Sequence, residues 1–179
     1  MTAALVRGTE MSVRHPLPDD RDVFVAAARR SRTLHGSWTT APDTDEAFAA
    51  YLERSARDRE SCLLVTRNDT EDLVGVYNIS EIVRGAFQNA YLGYYAFVPN
   101  AGSGAMRGAM QLVFEHAFGQ LGLHRLQANV QPGNAASRAL LAATGWREEG
   151  FAPRYLRIDG AWRDNVMYAI TAEEMPRRT

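Results

Sequence analysis

The chain contains no lysine; all twenty of its basic residues are arginine. That absence rules out lysine Schiff-base chemistry, and it rules out a Walker phosphate loop, which needs a lysine to reach the phosphates. Cysteine is almost absent as well. Cys62 stands alone, so neither an intrachain disulfide nor a thiolate metal cluster can form. Its neighbours Ser61 and Leu63-Leu64-Val65 read as a strand, which makes Cys62 a core thiol and not a nucleophile. No apolar run reaches the length of a membrane span, and none follows the basic residue near the N-terminus. A cytoplasmic protein with no membrane partner is expected. Twenty basic against twenty-one acidic residues give a net charge of −1, so there is no basic excess to attract nucleic acid. His, Asp and Glu nowhere recur at metal-ligand spacing, and no metal is expected.

What remains is an ordinary globular composition in 179 residues, enough for one domain with a full core and without repeats or linkers. Residues 1–10 read as a loose extension, and Met11 to Pro16 as a first strand. Pro18-Asp19-Asp20 caps a helix from Arg21 to Ser31 whose apolar face is Val23, Phe24, Ala27 and Ala28. A loop from Ser31 to Thr44 carries His35 and Trp38. A second helix spans Asp45 to Asp58, with Phe48, Tyr51 and Leu52 turned inward. Strands follow at Ser61–Arg67 and Leu73–Ile82, and turn signals at Asn68-Asp69 and Gly85 make this part of the sheet antiparallel. Arg125–Val130 is a further strand and Asn134–Ala143 a helix. Phe151–Arg157 and Asn165–Ile170 form a last hairpin turning at Asp159-Gly160.

The stretch from Tyr91 to Leu121 organises the rest. An uncharged strand runs from Tyr91 to Val98, Ala101-Gly102-Ser103-Gly104 makes a small-residue turn, and a helix follows. Met106, Met110, Val113, Ala117 and Leu121 recur three or four apart along one face of that helix. The first N–H groups of a helix lack partners and the dipole is positive there, so a glycine turn at that end suits an anion. The dinucleotide fingerprint fails, because Arg107 stands where its third glycine belongs.

Ala101-Gly102-Ser103-Gly104-Ala105-Met106 resembles the pyrophosphate loop of the GNAT N-acetyltransferases, in which Gln or Arg is followed by two residues, Gly, one residue, and Gly or Ala. Gly104 matches the central glycine; Ala101 and Met106 depart from the usual end residues. Downstream, the NxxS at Asn134 to Ser137, the TGWREEGF block and the IDGAWRDNVMYAI ending resemble the second half of RimJ/RimL-type enzymes in order and spacing. The resemblance covers roughly Ser12 to Met175 and implies one α/β domain, a mixed, mostly antiparallel sheet with helices on both faces.

It also implies an acetyl-CoA-dependent N-acetyltransferase acting on a primary amine, foremost the α-amine of a protein or peptide N-terminus. A small-molecule amine or antibiotic acetyltransferase is the alternative among enzymes. A CoA-binding module without turnover, raised by Ala101 and Met106, is the alternative outside them. A homodimer is left open. In the family, the backbone of the loop from Ala101 to Met106 holds the pyrophosphate, and the splayed strand positions matching Tyr95, Ala96 and Phe97 receive the pantetheine and thioester. Asn134, a strong N-cap in its own right, would bind the pantetheine arm. Ser137 would stand near the cofactor sulfur, with Tyr155 as the next proton donor. His35 and Trp38 would wall the acceptor pocket. For a general base the chain offers Glu81, with Glu148, Glu149 and His35 as others; His116 and His124 read as structural.

Overall fold

The structure, a computed structural model, describes residues 4–176; of the expected loose extension, residues 1–3 lie outside the described residues. Eight strands form one sheet: β1 (Val6–Arg7), β2 (Met11–Arg14), β3 (Ser61–Arg67), β4 (Leu73–Val83), β5 (Asn89–Ala96), β6 (Arg125–Val130), β7 (Arg147–Ile158) and β8 (Ala161–Thr171). Their order is β1-β2-β3-β4-β5-β6-β8-β7. Every neighbouring pair is antiparallel except β5 and β6, which run parallel. The extension is therefore not loose throughout, since Val6 and Arg7 pair with Val13 and Ser12.

Helices cover the two faces unequally. On one lies α4 (Ala105–Phe114), packed on Leu63, Val65, Tyr77, Ile79 and Leu126. On the other lie α1 (Arg21–Arg30) and α3 (Asp45–Ser55), packed on Cys62, Leu64, Val76, Tyr95 and Phe97. The alternation within β3 explains its continuous apolar run: Leu63 and Val65 serve one core, Cys62 and Leu64 the other. Thr44 caps α3 by accepting the Ala47 N–H at 3.1 Å, with Asp45 and Glu46 in the first turn. A four-residue α2 (Arg32–His35) interrupts the loop between them.

Two expectations shift by a residue or a turn. α1 buries Phe24, Val25, Ala27 and Ala28, whereas Val23 is 59% exposed. Asp20 is also placed differently: its carboxylate holds Arg14 at 2.6 and 2.7 Å and the Leu17 N–H at 2.7 Å. It stabilises a 3-10 turn at Pro18–Asp20 instead of capping α1. The helix after the glycine turn does continue toward Leu121, but Glu115–Gln120 is a π-helical segment. There His116 sits buried between Ser61 Oγ at 2.9 Å and Gln120 Oε1 at 2.6 Å, and burial lowers its pKa. Among the described residues no helix is long and apolar enough to cross a membrane, and no group of three or more His, Cys, Asp or Glu could hold a metal.

α4 approaches the sheet closely because β4 carries Gly75. A Cβ at Gly75 would stand 2.6 Å from the Tyr95 carbonyl oxygen and 2.7 Å from Met106 Sδ. Gly75→Ala is therefore expected to destabilise the fold by about 1–3 kcal/mol, as overpacking does. Urea unfolding checks it; an unchanged midpoint would mean that α4 can move off the sheet without loss.

Candidate active site

The site originates where β5 and β6 part. They pair over three positions, Asn89 with Arg125, Ala90 with Leu126 and Tyr91 with Gln127, and then diverge. Each strand stays bonded on its other side, β5 to β4 up to Ala96 and β6 to β8 up to Val130. The Phe97 N–H donates to Val74 at 2.8 Å. Alternation in an antiparallel ladder then turns the peptide groups of Leu92, Tyr94 and Ala96 away from β4, into the gap. A cavity of about 860 Å³ opens there, lined by Leu92 to Ala96, the turn before α4, the end of β6 and one side of α5 (Ala135–Ala143).

The turn before α4 provides the anion cradle. Gly102 and Gly104 adopt φ of +78° and +87°, a region only glycine enters freely, and Gly104 is the residue that caps α4. A Cβ at Gly104 would meet nothing within 4 Å, so that side of the turn is open. Ser103 Oγ donates to the Asn100 carbonyl at 2.7 Å and accepts the Ala105 N–H at 3.3 Å. The N–H groups of Met106 and Arg107 have no partner within the helix, and the Arg107 side chain adds charge at the cavity rim.

The opposite wall is α5, started by Asn134, whose Oδ1 accepts the Ser137 N–H at 3.1 Å. Leu141 is its single buried residue. Ala136, Ser137, Ala139, Leu140 and Ala143 line the cavity instead, an apolar face with one hydroxyl in it. That hydroxyl lies 2.6 Å from Tyr94 Oη. Burial raises the Tyr94 pKa well above a phenol's usual value, so its proton stays on. The Tyr94 ring packs at 5.4 Å against Tyr77, whose hydroxyl donates to the Met106 carbonyl at 2.8 Å. Asn129 Oδ1 and Asn165 Oδ1, on cavity-lining residues, are buried and bonded to nothing.

The loop carrying α2 closes one side. His35 Nε2–H donates to the Ala96 carbonyl at 2.9 Å, tying the loop to β5. Gln131 donates to the Ser37 carbonyl at 3.0 Å, and Trp38 stands over Gly133.

Of the residues singled out from sequence, Tyr95, Ala96, Ala101, Gly102, Gly104, Met106, Asn134, Ser137, His35 and Trp38 all line this cavity. Others do not. Phe97 is fully buried against α1, its N–H spent on β4, and Leu92 and Tyr94 take the place it was given. Ser103 and Ala105 support the turn from behind. Glu81 is exposed at φ +52°, ion-paired with Arg59 at 2.7 Å and outside the cavity. The Tyr155 hydroxyl also lies outside it, 3.2 Å from Tyr91. Glu148 engages Tyr168 and Arg138. Glu149 is held at a pKa of about 2, first by Arg125 and then by Arg147, and stays a carboxylate. Tyr94, Asn129 and Asn165 are the residues that sequence reasoning missed. Only the parity of β5, with Tyr94 and Tyr95 on opposite faces, hinted at the first.

A sheet parted at one parallel seam, with a helix N-terminus at its mouth, defines a protein that takes an extended, anion-bearing ligand between two strands. Residues 11–147 match the family described as the acetyltransferase (GNAT) domain, and the chain belongs to that family. It is 36% identical over 120 residues to a probable N-acetyltransferase, YjcK, of Bacillus subtilis, covering 67% of this chain and 66% of that one. It is 40% identical over 106 residues to the ribosomal protein uS5-alanine N-acetyltransferase of Escherichia coli, covering 59% of this chain and 55% of that one. The matched stretch thus spans just under two thirds of the first relative and just over half of the second. The RimJ of Mycobacterium smegmatis, solved with CoA-disulfide, superposes with a TM-score of 0.84 at 29% identity, covering 93% of this chain and 84% of that one.

Asn134 has a structural role that can be measured without any ligand. Asn134→Ala is expected to cost about 1 kcal/mol as a lost cap, and Asn134→Asp much less. Thermal unfolding of the two variants checks it; equal losses would show that the cap bond contributes nothing.

Proposed function

We propose that this protein transfers the acetyl group of acetyl-CoA to the α-amine of a protein or peptide N-terminus. The observation that carries the reading is the parted seam, with a phosphate cradle at one end and the Ser137–Tyr94 pair beside it. The residues fit the cofactor on three counts. The open glycine turn and unpaired N–H groups suit a pyrophosphate, the unpaired peptide groups of β5 suit an amide-bearing arm, and the small apolar face of α5 suits its packing. Acetyl-CoA, when bound, supplies an acetyl group activated as a thioester.

The chain's own residues supply the proton chemistry. Ser137 Oγ holds a proton at the edge of the seam, where a departing sulfur requires one. Tyr94 Oη, which keeps its own proton, fixes that hydroxyl in place, and the proton released by the acetylated amine, carried by water, restores the one Ser137 gives up. For the amine, Asp159 is the one carboxylate among the described cavity-lining residues, and His35 has its Nε2 committed to Ala96. A strong base is not required if the acceptor is an α-amine. Its ordinary pKa of about 8 leaves a good fraction unprotonated near neutrality, and water can take the rest; a lysine-type amine, at about 10.4, would need help. This favours an N-terminus over a polyamine, and the ribosomal N-terminal enzyme among the relatives points the same way.

Thiol release from acetyl-CoA, followed across N-terminal peptides, polyamines and aminoglycosides, tests the reading. Peptides are expected to be the best acceptors, with kcat/KM rising with pH and levelling above about 8 as the amine loses its proton. A rise that continues toward pH 10 would indicate a side-chain or polyamine acceptor. CoA binding without release for any amine would indicate a sensor. Ser137→Ala is expected to lower kcat about 10- to 1000-fold while CoA affinity by calorimetry stays near the parent's, because its proton matters only as the bond breaks. Parental turnover in that variant would remove Ser137 from the mechanism.

A further inference from the structure

On the α1/α3 face, beneath α3, lies a second cavity of about 380 Å³. Tyr95, Thr39 and Thr40 line it and line the first cavity too, so the two spaces adjoin across the loop after α2. Its remaining polar wall is Arg54, Arg57, Tyr51 and Asn78, and no carboxylate is among its described lining residues. Arg54 Nε is shut off from solvent and bonded to nothing, and so is Tyr95 Oη. The Arg54 guanidinium stands 5.3 Å from the centre of the Tyr51 ring, a cation–π contact that holds it over the cavity; behind it, outside the lining, lie the Cys62 thiol and Glu60, which feels its charge but makes no ion pair with it. The Tyr51 hydroxyl already donates its hydrogen bond to Asn78 Oδ1 at 3.0 Å. Burial keeps the Tyr95 phenol protonated.

A shielded guanidinium nitrogen and a shielded phenol, both unsatisfied, in a pocket without acid, are costly unless an anion completes them. The planar fork of arginine fits a carboxylate with two parallel hydrogen bonds. The position matters as much as the charge. Tyr94 and Tyr95 project from opposite faces of β5, so this pocket lies across the strand from the Ser137–Tyr94 pair, on the side of the loop carrying His35 and Trp38. We propose that the pocket receives a carboxylate carried by the acceptor itself, so that the enzyme selects amines with an acidic group close to the reacting end, such as an N-terminus whose second residue is Asp or Glu. The proposal rests on the acetyl-transfer reading above.

Two otherwise identical peptides beginning Ala-Glu and Ala-Gln provide the test, with thiol release as the readout. The parent is expected to favour the Ala-Glu peptide in kcat/KM by about 10- to 100-fold, the range of a charge-assisted pair in a shielded site. In Arg54→Met, which keeps the apolar stem and drops the charge, that ratio is expected to fall to about 1, and Arg54→Lys should recover part of it. A ratio is independent of how much of the variant folds. Free glutamate as a third acceptor separates a small acidic amine from a peptide: turnover comparable to the Ala-Glu peptide assigns the pocket to the former. A parental ratio near 1, or one that survives in Arg54→Met, overturns the proposal. If no amine releases thiol, the acetyl-transfer reading fails by itself, and calorimetry with the N-acetylated Ala-Glu and Ala-Gln peptides still decides the pocket. Tighter binding of the acidic one by the parent and not by Arg54→Met sustains a carboxylate site; equal binding ends it.

Discussion

A short row of missing hydrogen bonds between β5 and β6 governs the molecule. Beyond the Tyr91–Gln127 pair, peptide groups that a continuous sheet would bond to one another face a gap instead. Left buried and empty-handed, each would cost about 1–3 kcal/mol, so the gap has to be filled by water or by a ligand with its own amides. The parting is tolerable because neither strand depends on it. β5 is laced to β4 along its length, β6 to β8, and the two cores press from both faces. Because β5 and β6 run parallel, the chain leaves both of them at the open end of the gap. One exit becomes the cradle before α4, the other the cap of α5, and the functional groups converge there without any long loop having to carry them.

β5 also acts as a partition. Tyr94 faces α5 and is hydrogen-bonded to Ser137; its neighbour Tyr95 faces α1 and α3 and lines the second cavity with Arg54. Two adjacent residues thus face two separate chambers. The charges follow the same division. Arg107 and the α4 dipole make the first chamber's mouth positive, and Arg54 does so for the second. His35 bonds the loop carrying α2 to the carbonyl of Ala96, and both residues line the first chamber.

Period and punctuation were legible in the sequence. β3, β6, α5, the start of α3 and the β7–β8 turn fall where alternation, caps and Asp159-Gly160 put them, and the glycine turn stands directly before α4; α3 ends at Ser55, short of the expected Asp58. What could not be read was anything decided across distance. Which parity of β5 faces the gap is set by its register against β4, which the Phe97 to Val74 bond continues, and an apolar run does not specify that register. That is why Phe97 was assigned to the seam and Tyr94 was not. Glu81 had the right chemistry, but its fate was set by Arg59, twenty-two positions away in sequence and next to it in space. A two-residue strand such as β1 has no period at all, and whether Val23 or Val25 is buried depends on how α1 is rotated against the sheet. Arg54 gave no signal, since an arginine late in an amphipathic helix is ordinarily solvated.

α5 is fastened to the rest of the molecule by one buried side chain, Leu141, and a few polar contacts to the sheet, Ser137 with Tyr94 and Arg138 with Tyr168 and Glu148. On the apolar face it turns to the cavity, Ala136, Ala139 and Ala143 are exposed. Occupancy and order are then linked quantities: whatever fills the seam also completes the packing of a helix, and its binding energy is shared between holding the ligand and holding the fold. By mass action, the heat stability of this domain rises with the logarithm of ligand concentration above the dissociation constant. In a cell whose supply of that ligand fluctuates, the protein's abundance would register the fluctuation before its activity did.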